Sequence, residues 1–182
     1  MFKVGVGYMK IFLARHGEVK HNVLKSFNSL DEDLTENGIE QSLKLKDDIK
    51  DFNIDLIISS PLKRTMHTAN IINSKDIDIM TDNRLREREC GNLSGLTFNK
   101  EDKKEYWNYY TSKKYGTEED IKDFFDRIFN FLDELKEKNY SSVLIVTHSG
   151  VTRAFNAYFN GIGDGDFSSK GLKNCEFIEY EF

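Results

Sequence analysis

Ile11-Phe12-Leu13-Ala14-Arg15-His16-Gly17-Glu18 joins an unbroken apolar run to a polar, charged stretch. A strand inside a sheet covered on both faces reads as continuous apolar sequence, so residues 10–14 are predicted to form a buried strand. In open α/β sheets ligands gather just beyond the carboxyl ends of the strands. Chemistry is therefore expected at His16. Its imidazole is a candidate nucleophile, and the guanidinium of Arg15 beside it can hold an oxyanion.

Working outward from this stretch, strand and helix signals alternate along the chain. Further strands are predicted over 56–59, 77–80, 143–147 and 177–182; the last alternates Phe, Ile, Glu, Tyr, Glu, Phe, as an antiparallel edge strand would. A helix over 36–52 follows Thr35 as N-cap, with Ile39, Leu43, Leu45 and Ile49 as its apolar face. Another over 62–72 is expected to start with Pro61 at its first position after a Ser60 cap. Thr117-Glu118-Glu119-Asp120 opens the longest helix, whose stripe Ile121, Phe124, Phe125, Ile128, Phe129, Leu132 and Leu135 reads as core. The alternation predicts an α/β fold: a three-layer sandwich with a mainly parallel central sheet flanked by helices. Residues 96–116, rich in Lys and Tyr and of no clear period, read as a lid insertion over the active edge.

At 182 residues the chain is expected to be one domain spanning 1–182, with a core of useful size. Met9-Lys10 offers an alternative start, which makes residues 1–8 a short N-terminal extension, too short in apolar sequence for a secretory signal. No apolar run approaches the roughly 20 residues that span a bilayer, so no membrane partner is expected. Cys90 and Cys175 are the only cysteines and form no CxxC pair, which points to a reducing, cytoplasmic setting. The formal charge of −5 argues against a nucleic-acid partner, whose binding needs a concentrated basic surface. It leaves room for a small phosphorylated metabolite, because a few arginines and histidines can focus positive potential in one cleft. Neither a P-loop nor a dinucleotide loop is present, and His16 and His21 lack the helical spacing of a zinc pair, so neither cofactor nor metal is expected. Oligomeric state is left open.

Three other segments place polar groups after strands or at helix starts: Ser59-Ser60-Pro61-Leu62-Lys63-Arg64, Leu85-Arg86-Glu87, and Thr147-His148-Ser149-Gly150. Arg64 falls on the first turn of its helix, close to the end of the strand over 56–59, and its planar fork suits phosphate oxygens. His148 follows the apolar run 143–147 and precedes a helix start at Ser149-Gly150, where free amides favour an anion. Protonated, His148 can also donate to a phosphate. Glu87 and Glu89 alternate with Arg86 and Arg88, and periodicity does not choose between them as a proton donor.

Taken in order, these segments resemble the histidine phosphatase superfamily, the phosphoglycerate mutase-like proteins, with Arg15-His16-Gly17 as the signature. The likeness extends to Asn22 six residues after His16, to Leu34-Thr35 with Gly38, and to Thr68-Ala69. It implies a phosphohistidine at His16, a phosphate pocket of Arg15, Arg64, Asn22, His148 and Ser149, and Glu87 rather than Glu89 as the acid that protonates the leaving oxygen. Cys90 and Ser94 depart from the family's usual residues, which bears on substrate preference. The short segment between Glu87 and His148, with Lys103-Lys104 and Lys113-Lys114 where mutases carry paired arginines, favours a metal-independent phosphomonoesterase over a mutase. A phosphate-sensing module without turnover is the rival from another class.

Overall fold

The computed structural model describes residues 8–27, 31–97 and 99–182. Five strands, β1 (Lys10–Arg15), β2 (Leu56–Ser59), β3 (Ile79–Thr81), β4 (Ser142–Thr147) and β5 (Phe177–Glu181), form one sheet in the order β3-β2-β4-β1-β5. All neighbours are parallel except β5, which runs antiparallel to β1 at the edge. The helices are α1 (Lys20–Leu24), α2 (Glu36–Ile49), α3 (Lys63–Ile72), α4 (Lys100–Tyr106), α5 (Ile121–Lys136) and α6 (Ser149–Asn160).

Alternation along the strands divides the core in two. Ile11, Leu13, Leu56, Ile58, Val143 and Ile145 pack with α5 and α6, while Phe12, Ala14, Ile57, Leu144 and Val146 meet Leu45 and Ile49 of α2 and Ala69 and Ile72 of α3. This is why the central strands are apolar throughout: each residue faces one helical layer or the other. The three-layer α/β sandwich and its mainly parallel sheet are as the sequence predicts.

Several boundaries differ. Thr35 caps α2 through its side chain, which accepts from the Gly38 amide at 3.0 Å, but the helix stops at Ile49 and Leu43 is exposed while Ser42 is buried in its place. Phe52 leaves the helix to pack on Phe12, ring centroids 4.5 Å apart. The helix starts later than predicted: α3 begins at Lys63 with Leu62 at the N-cap position, its carbonyl accepting from the Thr65 and Met66 amides, while the Ser60 amide pairs with Val146 of β4 at 3.0 Å and its Oγ accepts from the Leu62 amide at 3.4 Å and meets His148. β3 starts at Ile79 rather than Ile77, whose amide and carbonyl are both held by the Asn73 side chain. On α5 the buried face includes Phe131, with Phe129 only partly covered. Residues 96–116 contain α4, capped by Asn99, whose side chain accepts from the Asp102 amide at 2.8 Å. The expected N-terminal extension lies outside the described residues apart from Tyr8, which is exposed.

Candidate active site

Register brings the site together. Arg15 pairs with Thr147, so β1 and β4 end side by side and deliver His16 and His148 to the same edge. Their rings lie 5.2 Å apart at 64°, and both are buried. His16 Nδ1 lies 2.7 Å from the Gly17 carbonyl oxygen. An acceptor there requires the proton on Nδ1 and leaves the Nε2 lone pair free. Burial, reinforced by Arg15 and Arg64, holds the imidazole well below its ordinary pKa of 6.5, so it is neutral at pH 7.

His148 reaches Ser60 Oγ at 2.8 Å through Nε2, and its Nδ1 is buried without a hydrogen-bond partner among the described residues. Burial and Arg64 depress its pKa well below 6.5 as well. In the protein alone this ring is therefore neutral; a bound dianion would work against that depression and favour the protonated form that can donate to a phosphate.

The strand ends open into a cavity of about 550 Å³ lined by Arg15, Asn22, Glu87, Ser149 and Arg153 among others. Arg15 donates to the Leu172 carbonyl at 2.9 Å, its Nε is buried without a partner among the described residues, and burial lowers its pKa to about 10, which still leaves it charged at neutral pH. Arg64, on the first turn of α3, is completely buried and likewise shifted down by burial. Asn22 Oδ1 accepts from the Val19 amide at 3.1 Å and from Asn174 Nδ2 at 3.0 Å.

The structure separates the two glutamates that periodicity left equivalent. Glu87 lines the cavity, its carboxylate accepting from the Gly150 amide at 3.0 Å and from the Arg88 backbone amide at 2.9 Å. Glu89 faces away and pairs with Arg86 at the surface at 3.0 Å. The Gly150 amide at the start of α6 holds the Glu87 carboxylate. Ser149 Oγ accepts from Arg153 at 2.7 Å.

Asn174 and Arg153 are cavity residues that sequence reasoning missed. Asn174 Nδ2 also donates to the His16 carbonyl at 3.0 Å across 158 positions of chain, which leaves no local signal. Arg153 sits one turn after Ser149 on α6, stacked 4.5 Å over Trp107 and bonded to the Ser149, Phe167 and Ser168 carbonyls. His21, read only as an unpaired zinc spacing, lines the cavity too, with Nδ1 on Glu32. His67, away from this cavity, pairs with Asp33 at 2.6 Å.

A mainly parallel α/β sandwich with a neutral histidine, two arginines and a carboxylate converging at its strand ends defines a class of phosphate-handling proteins. The chain belongs to the histidine phosphatase superfamily (branch 1), whose family model matches residues 11–182. It is 28% identical over 178 residues to phosphoserine phosphatase 1 of Hydrogenobacter thermophilus, covering 93% of this chain and 84% of that protein. It is 31% identical over 216 aligned positions to a 2,3-bisphosphoglycerate-dependent phosphoglycerate mutase of Buchnera aphidicola, covering 95% and 93%. Among solved structures, a putative alpha-ribazole-5'-P phosphatase of Escherichia coli superposes with a TM-score of 0.82 at 24% identity, covering 95% of this chain and 90% of that one.

Proposed function

We propose that the protein is a metal-independent phosphomonoesterase that hydrolyses a small phosphorylated metabolite through a phosphohistidine at His16. The observation that carries this reading is the Nδ1 contact of His16 with the Gly17 carbonyl, which leaves a neutral Nε2 free to attack. In the first displacement Nε2 attacks phosphorus, the P–O ester bond breaks, and the leaving oxygen takes a proton from Glu87. Arg15, Arg64 and His148 hold the equatorial oxygens, with Asn22 and Ser149 completing the pocket. In the second, water attacks the phosphohistidine and gives its proton to the Glu87 carboxylate. The P–N bond then returns its electron pair to the imidazole, and phosphate leaves.

The substrate class follows from charge. Arg153, Lys103, Arg88 and Lys25 add four cations to the cavity beyond the phosphate arginines, and none has an ion-pair partner among the described residues. A carboxylate a few atoms from the phosphate would match them, and both named relatives are named for phosphate esters that carry one. Hydrolysis rather than transfer to a second substrate is favoured by the short segment between Glu87 and His148. The reading is of one domain in the cytoplasm, with residues 96–116 as a lid over the cavity.

Brief reaction with ³²P-labelled substrate followed by an alkaline quench should trap an acid-labile phosphoenzyme, absent from His16→Ala. Label that persists in His16→Ala would place the nucleophile elsewhere.

A further inference from the structure

Glu87 sits in a loop with almost no secondary structure of its own. A single 3₁₀ turn, Asn83–Leu85, precedes it, and Arg86 is extended. The carbonyls of such a loop have no ladder partner and must be satisfied by side chains. Two side chains do this. Thr147, at the end of β4, donates its hydroxyl to the Leu85 carbonyl at 2.9 Å. Arg127, on α5 and outside the catalytic cavity, takes the rest: Nη1 donates to the carbonyls of Arg84 and Arg86, and Nη2 to that of Glu87 at 3.2 Å.

The remaining donors of Arg127 go to Glu119, from Nε at 2.7 Å and from Nη2 at 2.9 Å. Glu119 in turn accepts from the Glu89 amide at 3.1 Å. Arg127 thus makes five hydrogen bonds, the full complement of a guanidinium, and three of them fall on the backbone that carries Glu87.

We propose that Arg127 is a positioning residue for the acid: from behind the loop it holds the backbone of Glu87 where the carboxyl can reach the leaving oxygen. The inference rests on the reading of Glu87 as general acid. A sub-ångström shift of such a group lowers the rate of proton transfer while leaving the phosphate pocket in place. No other cation can substitute, since an ammonium cannot fork among three carbonyls and a carboxylate.

Leaving groups provide the test. The kcat/KM of wild type, Arg127→Ala and Arg127→Lys is measured on phosphate esters whose leaving groups run from 2,4-dinitrophenol to a simple alcohol. Dinitrophenolate departs without a proton; an alkoxide does not. Both variants should lose about 10- to 100-fold on the alkyl ester and less than about threefold on the dinitrophenyl ester. In a Glu87→Gln background Arg127→Ala should cost the alkyl ester nothing further. Should Arg127→Ala fail to melt cooperatively, Arg127→Lys, which keeps the charge and most of the packing, carries the comparison. Equal losses on every ester, or a loss that multiplies with that of Glu87→Gln, would overturn the positioning role and make Arg127 a stability staple. A wild type that turns over no ester would instead bring down the phosphatase reading beneath it.

Discussion

Gly150 is placed where no side chain fits. A Cβ there would lie 1.9 Å from Glu87 Oε1 and 2.7 Å from Trp107 Cη2. The glycine of Thr147-His148-Ser149-Gly150 is thus the space the acid occupies, and its amide is one of the bonds that hold it. Alanine is a better helix former than glycine, so Gly150→Ala should leave α6 formed while displacing the carboxylate. Its kcat/KM on an alkyl phosphate should fall by about 100-fold with an unchanged far-UV circular dichroism spectrum; full activity would show that the acid is not where its rate contribution is made. Gly17 meets a similar limit, its Cβ position being 2.4 Å from the Gly38 carbonyl oxygen, and this ties the His16 turn to the start of α2.

α4 explains why residues 96–116 carry no clean sequence period. The helix spans only Lys100–Tyr106, and its burial is concentrated at its end, where Tyr106 and Trp107 enter the core that α5 forms with the sheet. Trp107 stands between Arg153 and Phe124, so it lines the cavity and packs the core at once. Tyr109 packs on Phe125, away from the cavity. Of the five lysines in the segment, Lys104, Lys113 and Lys114 pair with Asp166, Asp102 and Asp120, and only Lys103 lines the cavity. Removing that charge should weaken binding of a carboxylated ester selectively. For Lys103→Met we expect KM for O-phosphoserine to rise roughly tenfold, worth about 1.4 kcal/mol, with KM for phosphoethanolamine changing less than about twofold. Equal shifts for both compounds would assign Lys103 to the phosphate or to no ligand at all.

Over the whole molecule, two buried histidines set a pH limit. His16 and His148 both have folded pKa values well below 6.5, so below that pH the unfolded chain binds protons that the folded one refuses. Their contribution is intact above pH 6.5 and is lost as pH falls toward the folded values, at about 1.4 kcal/mol per group for each pH unit. Calorimetry should show Tm falling between pH 7 and pH 5, less steeply in His148→Gln; equal slopes would mean that other groups dominate. The same edge of the sheet shows how far reading the chain could go. Runs such as 10–14 and 143–147 are apolar because both faces of each strand are covered, so the sandwich, the strands and the histidines at their ends were all legible locally. Glu87 was legible only through resemblance, since alternating charges carry no period, and it is separated from Glu89 by contacts with α6 on one side and Arg86 on the other. The helix expected right after Ser60 starts two residues later, because Ser60 ends strand β2's pairing with β4 and its Oγ is shared between the Leu62 amide and His148. Asn174, Arg153 and Arg127 had no signal in the chain, because each acts on groups that folding alone brings beside it. Short-range pattern determined which residues could do chemistry, and long-range packing determined which of them meet.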